Sequence, residues 1–510
     1  MKQYYNQFFE KGQQVINFNF YNLGLSADDP VYTLINILED FDFSSLLARY
    51  SNKGRKGYNP IMLFAVLLYA NMRGIRAVDR IVELCERDIA FIWLTKGEKP
   101  QRDTFYAFLN EKLTKEILED LHYQFIRILE KKGLVTLKTL FIDGTKIEAN
   151  ANRYTFVWRG TVNYHLAGLL DTIDKLYLRY NQFLESQNYH KDYNLPLETM
   201  FVVEGIDKVK DIIARNRKRK SLNLEKISNN SIIEIGNISP LKLIELQANL
   251  SRIADAEKII FVHGKRNKKS ELQKLYEAIE EASTRLLKYK EHFKLMGTDR
   301  NSYSKTDIEA TFMRMKDDHM QNGQLKPAYN VQIAVENYFI IHTYISNDRT
   351  DYNTLIPVLE KHKKYLKKFP QEVTADSGYS SEANLVYLKN NNIDSYIKLQ
   401  MHEKMKTRAY KNDPGKFYNM EKIITENGVH FICKDGRKLQ YERSEYRNHN
   451  GYRSNFEVYA CKDCSGCEFK PHCLYKYNEE KDIHKNKVMK INLLWETLKT
   501  ESNNNVQSEK

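Results

Sequence analysis

Leu140-Phe141-Ile142-Asp143-Gly144-Thr145-Lys146 is the stretch on which the reading of the whole chain turns. An apolar, β-rich run (Val135, Leu137, Leu140, Phe141, Ile142) reaches a lone carboxylate followed by glycine. Its spacing predicts a strand that ends at Asp143, and α/β sheets place their ligands beyond the carboxyl ends of strands. Val373-Thr374-Ala375-Asp376-Ser377-Gly378-Tyr379 repeats the layout: a short apolar strand, an aspartate, then a tight turn into a helix. Between them Tyr329, Val331, Ile333 and Val335 alternate with Asn330, Gln332, Ala334 and Glu336, the period of a strand with one buried face. A turn at Glu336-Asn337 and a second strand from Tyr338 to Ile345 complete a hairpin. Helices fit 352–367 and 381–391, and a last strand fits Ile393 to Ile397. Strand, hairpin, helix, strand, helix, strand is a mixed α/β layer.

Two aspartates at the tips of two strands in one sheet can hold a divalent cation between them. Mg²⁺ suits such a site of hard oxygens because it keeps several waters or takes substrate phosphates. A pair of metals about 3.5–4 Å apart activates a water and stabilises the leaving oxygen of a phosphodiester. The alternative is that each aspartate only caps the turn that follows it.

Upstream of Leu134 the pattern is helical. Asn59-Pro60 is a helix start, with Asn as the cap and Pro at the first helical position. Ile61–Ala70 is apolar on every side, hence a buried helix, and Gly74 ends it. A second helix begins near Ala77, Trp93 falls in the connection after it, and a third starts near Asp103-Thr104. Three short helices with tight turns fit either a helix-turn-helix module or a small bundle with no DNA role. Arg102 and Thr104, near the start of the third helix, are the candidates for reading DNA.

Between the two aspartate segments lie two long amphipathic stripes. Leu166 to Leu184 and Leu272 to Phe293 recur at helical spacing and can pair as a hairpin of helices. Arg215, Arg217, Lys218, Arg219 and Lys220 form one basic run, and Lys265, Arg266, Lys268 and Lys269 another. Such runs are solvated loops or phosphate contacts. Further on, Cys461, Cys464, Cys467 and Cys473 stand close enough for four thiolates around a structural Zn²⁺, or are simply four reduced thiols in a loop. Cys85 and Cys433 stand alone and are expected in cores.

The chain has 510 residues and a net charge of +13, a length for two to four domains and a balance that fits a polyanionic partner. The longest apolar run is far short of a bilayer span, and the first residues carry no signal region. The chain is therefore expected to be cytoplasmic, with no membrane partner, and its few cysteines to be reduced. No H-E-x-x-H, G-x-x-x-x-G-K or G-x-S-x-G occurs, which disfavours ATP hydrolysis and serine-nucleophile chemistry.

Phe141-Ile142-Asp143-Gly144-Thr145-Lys146-Ile147-Glu148-Ala149-Asn150 resembles the first-aspartate segment of bacterial insertion-sequence DDE transposases. Lys326-Pro327-Ala328-Tyr329-Asn330-Val331-Gln332 resembles their next strand, and Thr374-Ala375-Asp376-Ser377-Gly378-Tyr379 their second-aspartate segment. Gly57-Tyr58-Asn59-Pro60 and Glu83-Leu84-Cys85-Glu86-Arg87-Asp88 resemble their helical N-terminal domain, and the four-Cys segment has its counterpart there.

The resemblance implies a ribonuclease H-like mixed sheet with a helical N-terminal domain, a long helical insertion and a small Cys-rich zinc-type module. Its map is 1–133 helical DNA-binding domain, 134–160 and 311–400 the two parts of the core, 161–310 helical insertion, 401–484 Cys-rich insertion, 485–510 C-terminal helix and tail. It implies Asp143 and Asp376 as catalytic acids binding Mg²⁺ or Mn²⁺, double-stranded DNA (element ends and target) as the partner, a homodimer on DNA, and a place at the nucleoid. It also implies a third acid, a glutamate in a Y-x2-R-x3-E-x6-K pattern, which is not found in 377–510. Glu382 follows Asp376 too closely to replace it. The expectation is therefore a transposase that ends before its third acid and is impaired in cleavage. The alternatives are an inactive DNA-binding remnant that occupies element ends or inhibits full-length protomers, and a metal-dependent nuclease that cuts without joining.

Overall fold

The computed structural model describes residues 25–51, 57–198, 239–264, 267–297, 300–315, 323–426, 428–449 and 452–508. They fall into two units: residues 1–141 with 335–341 and 360–372, and residues 142–334 with 342–359 and 373–510.

The first unit is built on helices α1 (Pro30–Glu39), α2 (Pro60–Met72), α3 (Val78–Arg87), α4 (Ile89–Thr95), α5 (Arg102–Ala107) and α6 (Lys115–Lys131). Asn59 Oδ1 accepts from the Ile61 amide at 2.9 Å and the Met62 amide at 3.4 Å, while Pro60 brings a preset φ and no donor to satisfy. From Pro60 to Leu67 every side chain of α2 is buried, so it is the helix the others wrap. Gly74 stops it at φ +73°, a conformation that costs glycine nothing. Trp93 lies inside α4, not in a connection. Asp88 both ends α3 and caps α4, accepting from the Ala90 amide at 3.0 Å, so the link between the helices is a single residue.

Two buried groups hold further parts of this unit. Glu336, 5% exposed, accepts from the Thr136 amide (2.9 Å) and hydroxyl (2.6 Å) and from the Leu137 amide (2.7 Å). His362 is fully buried, and burial pushes its imidazole pKa down to about 4. Unfolded, the ring takes its proton near its ordinary value of 6.5, so the folded state binds fewer protons between those two values. This contribution to stability is complete above pH 6.5 and is lost as the pH falls towards 4, by about 3 kcal/mol. In urea unfolding followed at pH 7 and pH 4.5, His362→Leu is expected to shrink the acid-induced loss by most of that amount. An unchanged difference between the two pH values refutes it.

Most residues of a six-stranded sheet fall in the second unit: β1 (Thr139–Glu148), β4 (Thr311–Arg314), β5 (Leu325–Glu336), β6 (Phe339–Ser346), β7 (Glu372–Ala375) and β8 (Asp394–Ile397), in the order β4-β5-β1-β7-β8 with β6 paired to β5. Helices α10 (Leu355–Leu366) and α11 (Glu382–Asn390) connect the later strands. This is the mixed α/β sheet the sequence implies, with two corrections. β1 begins only at Thr139, because Leu137 sits at φ +59°, and it runs past Asp143 to Glu148. β5 is buried on the face opposite to the one its apolar residues mark: Asn330, Gln332, Ala334 and Glu336 are each 5% exposed or less, and Tyr329, Val331, Ile333 and Val335 only half-buried. The polar row is inside because each member has a partner there. The hairpin turn is Asn337-Tyr338, both at positive φ (48° and 69°), the geometry whose twist matches the flanking strands.

Among the described residues, the long helices of the insertion are α7 (Arg159–Ser186), α8 (Pro240–Ala256) and α9 (Glu271–Met296), around a core of their own that includes Leu170, Leu250 and Leu286. It enters and leaves through a two-stranded pair, β2 (Phe156–Trp158) with β3 (Ser302–Ser304).

The Cys-rich region is a five-stranded antiparallel sheet: β9 (Glu421–Thr425), β10 (Gly428–Ile432), β11 (Lys438–His449), β12 (Tyr452–Cys461) and β13 (Val488–Ile491). In the C-terminal stretch 485–510, read as a helix and tail, β13 precedes α12 (Leu493–Gln507), and the polar residues after Glu501 are largely helical. Polar side chains seat it: Ser502 Oγ donates to the Ile397 carbonyl at 3.0 Å, and Lys389 pairs with Glu501 at 2.7 Å.

Candidate active site

Leu140 and Ile142 are buried, and the alternation of β1 leaves Asp143 exposed. Asp376 follows β7, the hydrogen-bonded neighbour of β1. Its Oδ1 accepts from the Gly378 amide at 2.8 Å, and Asp143 Oδ1 accepts from the Gly144 amide at 2.8 Å. Each carboxylate is thus oriented by the turn or strand beneath it, and each keeps an oxygen for another partner.

A third carboxylate stands with them. Asp351 lies in the 3-10 turn before α10, and its Oδ1 takes the Asn330 amide at 2.8 Å and the Gln332 amide at 3.0 Å. Asn330 and Gln332 come from the buried polar row of β5, and Gln332 also donates to Asn330 Oδ1 at 2.9 Å. The Tyr379 hydroxyl donates to Gln332 Oε1. Burial, and then the charges of Asp351, Asp143 and Asp376, push the Tyr379 phenol far above its ordinary value, so it stays a neutral donor among three acids.

The two glycines leave space between these groups. A Cβ on Gly144 would stand 2.7 Å from Gln332 Nε2 and 2.8 Å from Asp351 Oδ1. A Cβ on Gly378 would stand 2.9 Å from Asp376 Oδ1 and 3.2 Å from Asp351 Oδ2. Hard oxygens around a gap that no side chain can fill suit a cation that keeps most of its waters, as Mg²⁺ does. A complete set of three protein ligands already drawn together is not found among the described residues. Asp351 escapes a reading by motif because an aspartate ahead of a helix looks like a cap. The available signal was β5: two amides in strict alternation need a buried acceptor if that row faces inward.

Glu382, the opening residue of α11, is fully engaged elsewhere. Its Oε2 accepts from Ser454 Oγ at 2.6 Å and Asn492 Nδ2 at 2.7 Å, and its Oε1 from the Tyr452 hydroxyl at 3.2 Å. Burial, then Glu382, push the Tyr452 phenol up to about 12. Glu382→Gln is expected to lower that titration in part, since burial remains, and to speed amide exchange in residues 452–456. Exchange at the wild-type rate refutes the clamp.

Cys461, Cys464, Cys467 and Cys473 line one small space, and Cys433, expected to stand alone, joins them. Lys470 and Lys487 share it, with the Lys487 amide 3.3 Å from Cys464 Sγ. All are free thiols, and burial pushes Cys461 up to about 11. Their chemistry suits a soft cation, but they do not form a ready set of three ligands either. Cys85 is buried in the first unit's core.

Of the candidate DNA contacts, Arg102 is exposed at the start of α5, 3.3 Å from Asp79 and against the Tyr106 ring, with Thr104 one turn along. Lys268 is exposed, and Lys269 pairs with Glu277 at 2.6 Å. Arg215, Arg217, Lys218, Arg219, Lys220, Lys265 and Arg266 lie outside the described residues.

A mixed sheet that gathers acids around a glycine-lined gap defines a class, the carboxylate sites built for hard cations. Comparison with known proteins narrows it. Residues 300–501 match a family described as a transposase DDE domain, and residues 20–111 match one described as a transposase domain (DUF772). The chain belongs to the insertion-sequence DDE transposases. Asp351 and Asp376 fall inside the matched span, while Asp143 is outside both and is placed by its strand. No curated protein and no solved structure matches the chain. No helix among the described residues is long and apolar enough to cross a membrane.

Proposed function

We propose that this chain carries out DNA transposition, hydrolysing a phosphodiester at the ends of a mobile element and joining the freed 3′-hydroxyl to target DNA. The observation that carries the reading is Asp143 and Asp376 on neighbouring strands with Asp351 beside them, in a chain that matches transposase domains at both ends. Asp143 and Asp376 would hold Mg²⁺ or Mn²⁺, with Asp351 Oδ2 turned to the same gap. A bound cation of this kind supplies Lewis acidity to the attacking and leaving oxygens. The protein's own part is to fix the carboxylates: the Gly144 and Gly378 amides set Asp143 and Asp376, and the β5 amides set Asp351. The Tyr379 hydroxyl remains protonated and keeps Gln332 in place. Duplex DNA is the partner, bound by a homodimer, and the exposed Arg102 and Lys268 and the half-buried Thr104, with the basic runs 215–220 and 265–269, are the candidate contacts. Zn²⁺ on Cys461, Cys464, Cys467 and Cys473 belongs to the same proposal, on the chemistry of the thiols alone.

One observation favours a second reading, a chain that binds DNA without cutting it. Glu382, the nearest glutamate after Asp376, is held by three partners away from the acids. Incubation of the chain with Mn²⁺ and duplexes carrying the element ends decides between them. Joined products support transposition, cutting without joining identifies a nuclease, and end-binding with neither identifies the non-cutting form.

A further inference from the structure

The outer half of the β11–β12 hairpin is a free-standing ribbon. β10 pairs β11 only up to Gln440, and β13 pairs β12 only from Glu457, whereas β11 and β12 pair with each other out to His449 and Tyr452. A two-stranded ribbon alone in water is marginal. Here Glu382 clamps one of its faces through Tyr452 and Ser454, at the start of the helix that follows Asp376.

Strand alternation turns Ser444, Tyr446, Asn448, Arg453 and Asn455 to the opposite face, and all five are exposed. The Arg453 guanidinium lies 3.8 Å from the centre of the Tyr446 ring, a stack that holds it upright. The nearby carboxylates are occupied: Glu442 and Glu445 pair with Arg443 at 2.7 Å, Glu445 also with Lys490, and Glu457, across from Ser444 on the open face, accepts from the Tyr459 hydroxyl at 2.6 Å. The open face therefore presents one rigid guanidinium and two amides, with no acid among 446–455.

We propose that this face enters the major groove of duplex DNA beside the acid site and reads base edges there. The major groove admits a two-stranded ribbon, and Arg and Asn are the side chains that bond guanine and adenine edges in pairs. A phosphate-only contact needs no amides and no stacked, preset arginine. The proposal rests on the transposase reading for its partner, but its test uses binding alone, without metal.

The full chain is used to select from a pool of randomised duplex DNA. Wild type is expected to enrich a sequence motif. Arg453→Ala and Asn455→Ala should each weaken the selected duplex by about tenfold and flatten the preference at a base pair, with unselected duplex bound as before. Arg453→Lys, which keeps the charge, should not restore the preference. These positions are exposed, and unchanged circular dichroism confirms that the variants fold. Selection of the same motif at the same affinity by the variants, full rescue by Arg453→Lys, or no motif with wild type overturns the proposal. Failure of the transposase reading shows separately, as strand transfer indifferent to Asp143 and Asp376.

Discussion

Asp143→Asn and Asp376→Asn are each expected to lower metal-dependent cleavage and joining by about a thousandfold or more, in a chain that should still fold and still bind DNA. Asparagine keeps the size and the hydrogen bond from the Gly144 or Gly378 amide, so the turns survive. What goes is the negative oxygen that a hard cation needs, and the loss of charge stabilisation at a transition state is typically worth several kcal/mol. Mn²⁺ affinity measured by electron paramagnetic resonance should fall in the same variants. Asp351→Asn should fall between them and wild type, because its Oδ1 is already held by two amides and only Oδ2 is turned to the gap. Equal activity in Asp143→Asn and wild type removes the phosphodiester chemistry from this sheet.

The second large effect is on stability. Glu336→Ala is expected to destabilise the first unit by about 4 kcal/mol, since a buried carboxylate that accepts several donors leaves them unpaired when it is removed. The Leu137 amide is the costly one: Leu137 is 1% exposed and sits at φ +59°, a conformation the carboxylate helps to fix. Glu336→Gln should cost less, because its carbonyl still accepts. Chemical denaturation followed by far-ultraviolet circular dichroism reads both, and a loss below about 1 kcal/mol for alanine would refute the role.

Asn59-Pro60 marks α2 to the residue, because cap and buried run coincide, whereas α8 went unread although Ser239-Pro240 caps it in the same way. Asp143 and Asp376 were legible because a strand, an aspartate and a glycine make a local pattern. The identity of the inner face of β5 was not, since alternation fixes the period of a strand and not which side is buried; Asn330 and Gln332 look solvent-facing until Asp351 and Tyr379 are brought to them from later in the chain. The five-stranded sheet of the Cys-rich region was missed for a related reason. Its central strand β11 carries Glu442, Arg443, Glu445 and Arg447 at neighbouring positions, and a strand whose outer half is a ribbon largely open to solvent shows little hydrophobic alternation.

The order of strands in the main sheet bears on synthesis. β1 lies between β5 and β7, so on the ribosome it emerges long before either neighbour and waits through the whole of residues 149–324. In that interval the helical insertion can fold on its own leucine core, and the first aspartate has nothing to work with. A nascent chain therefore brings Asp143 and Asp376 together only after residue 376 has been made.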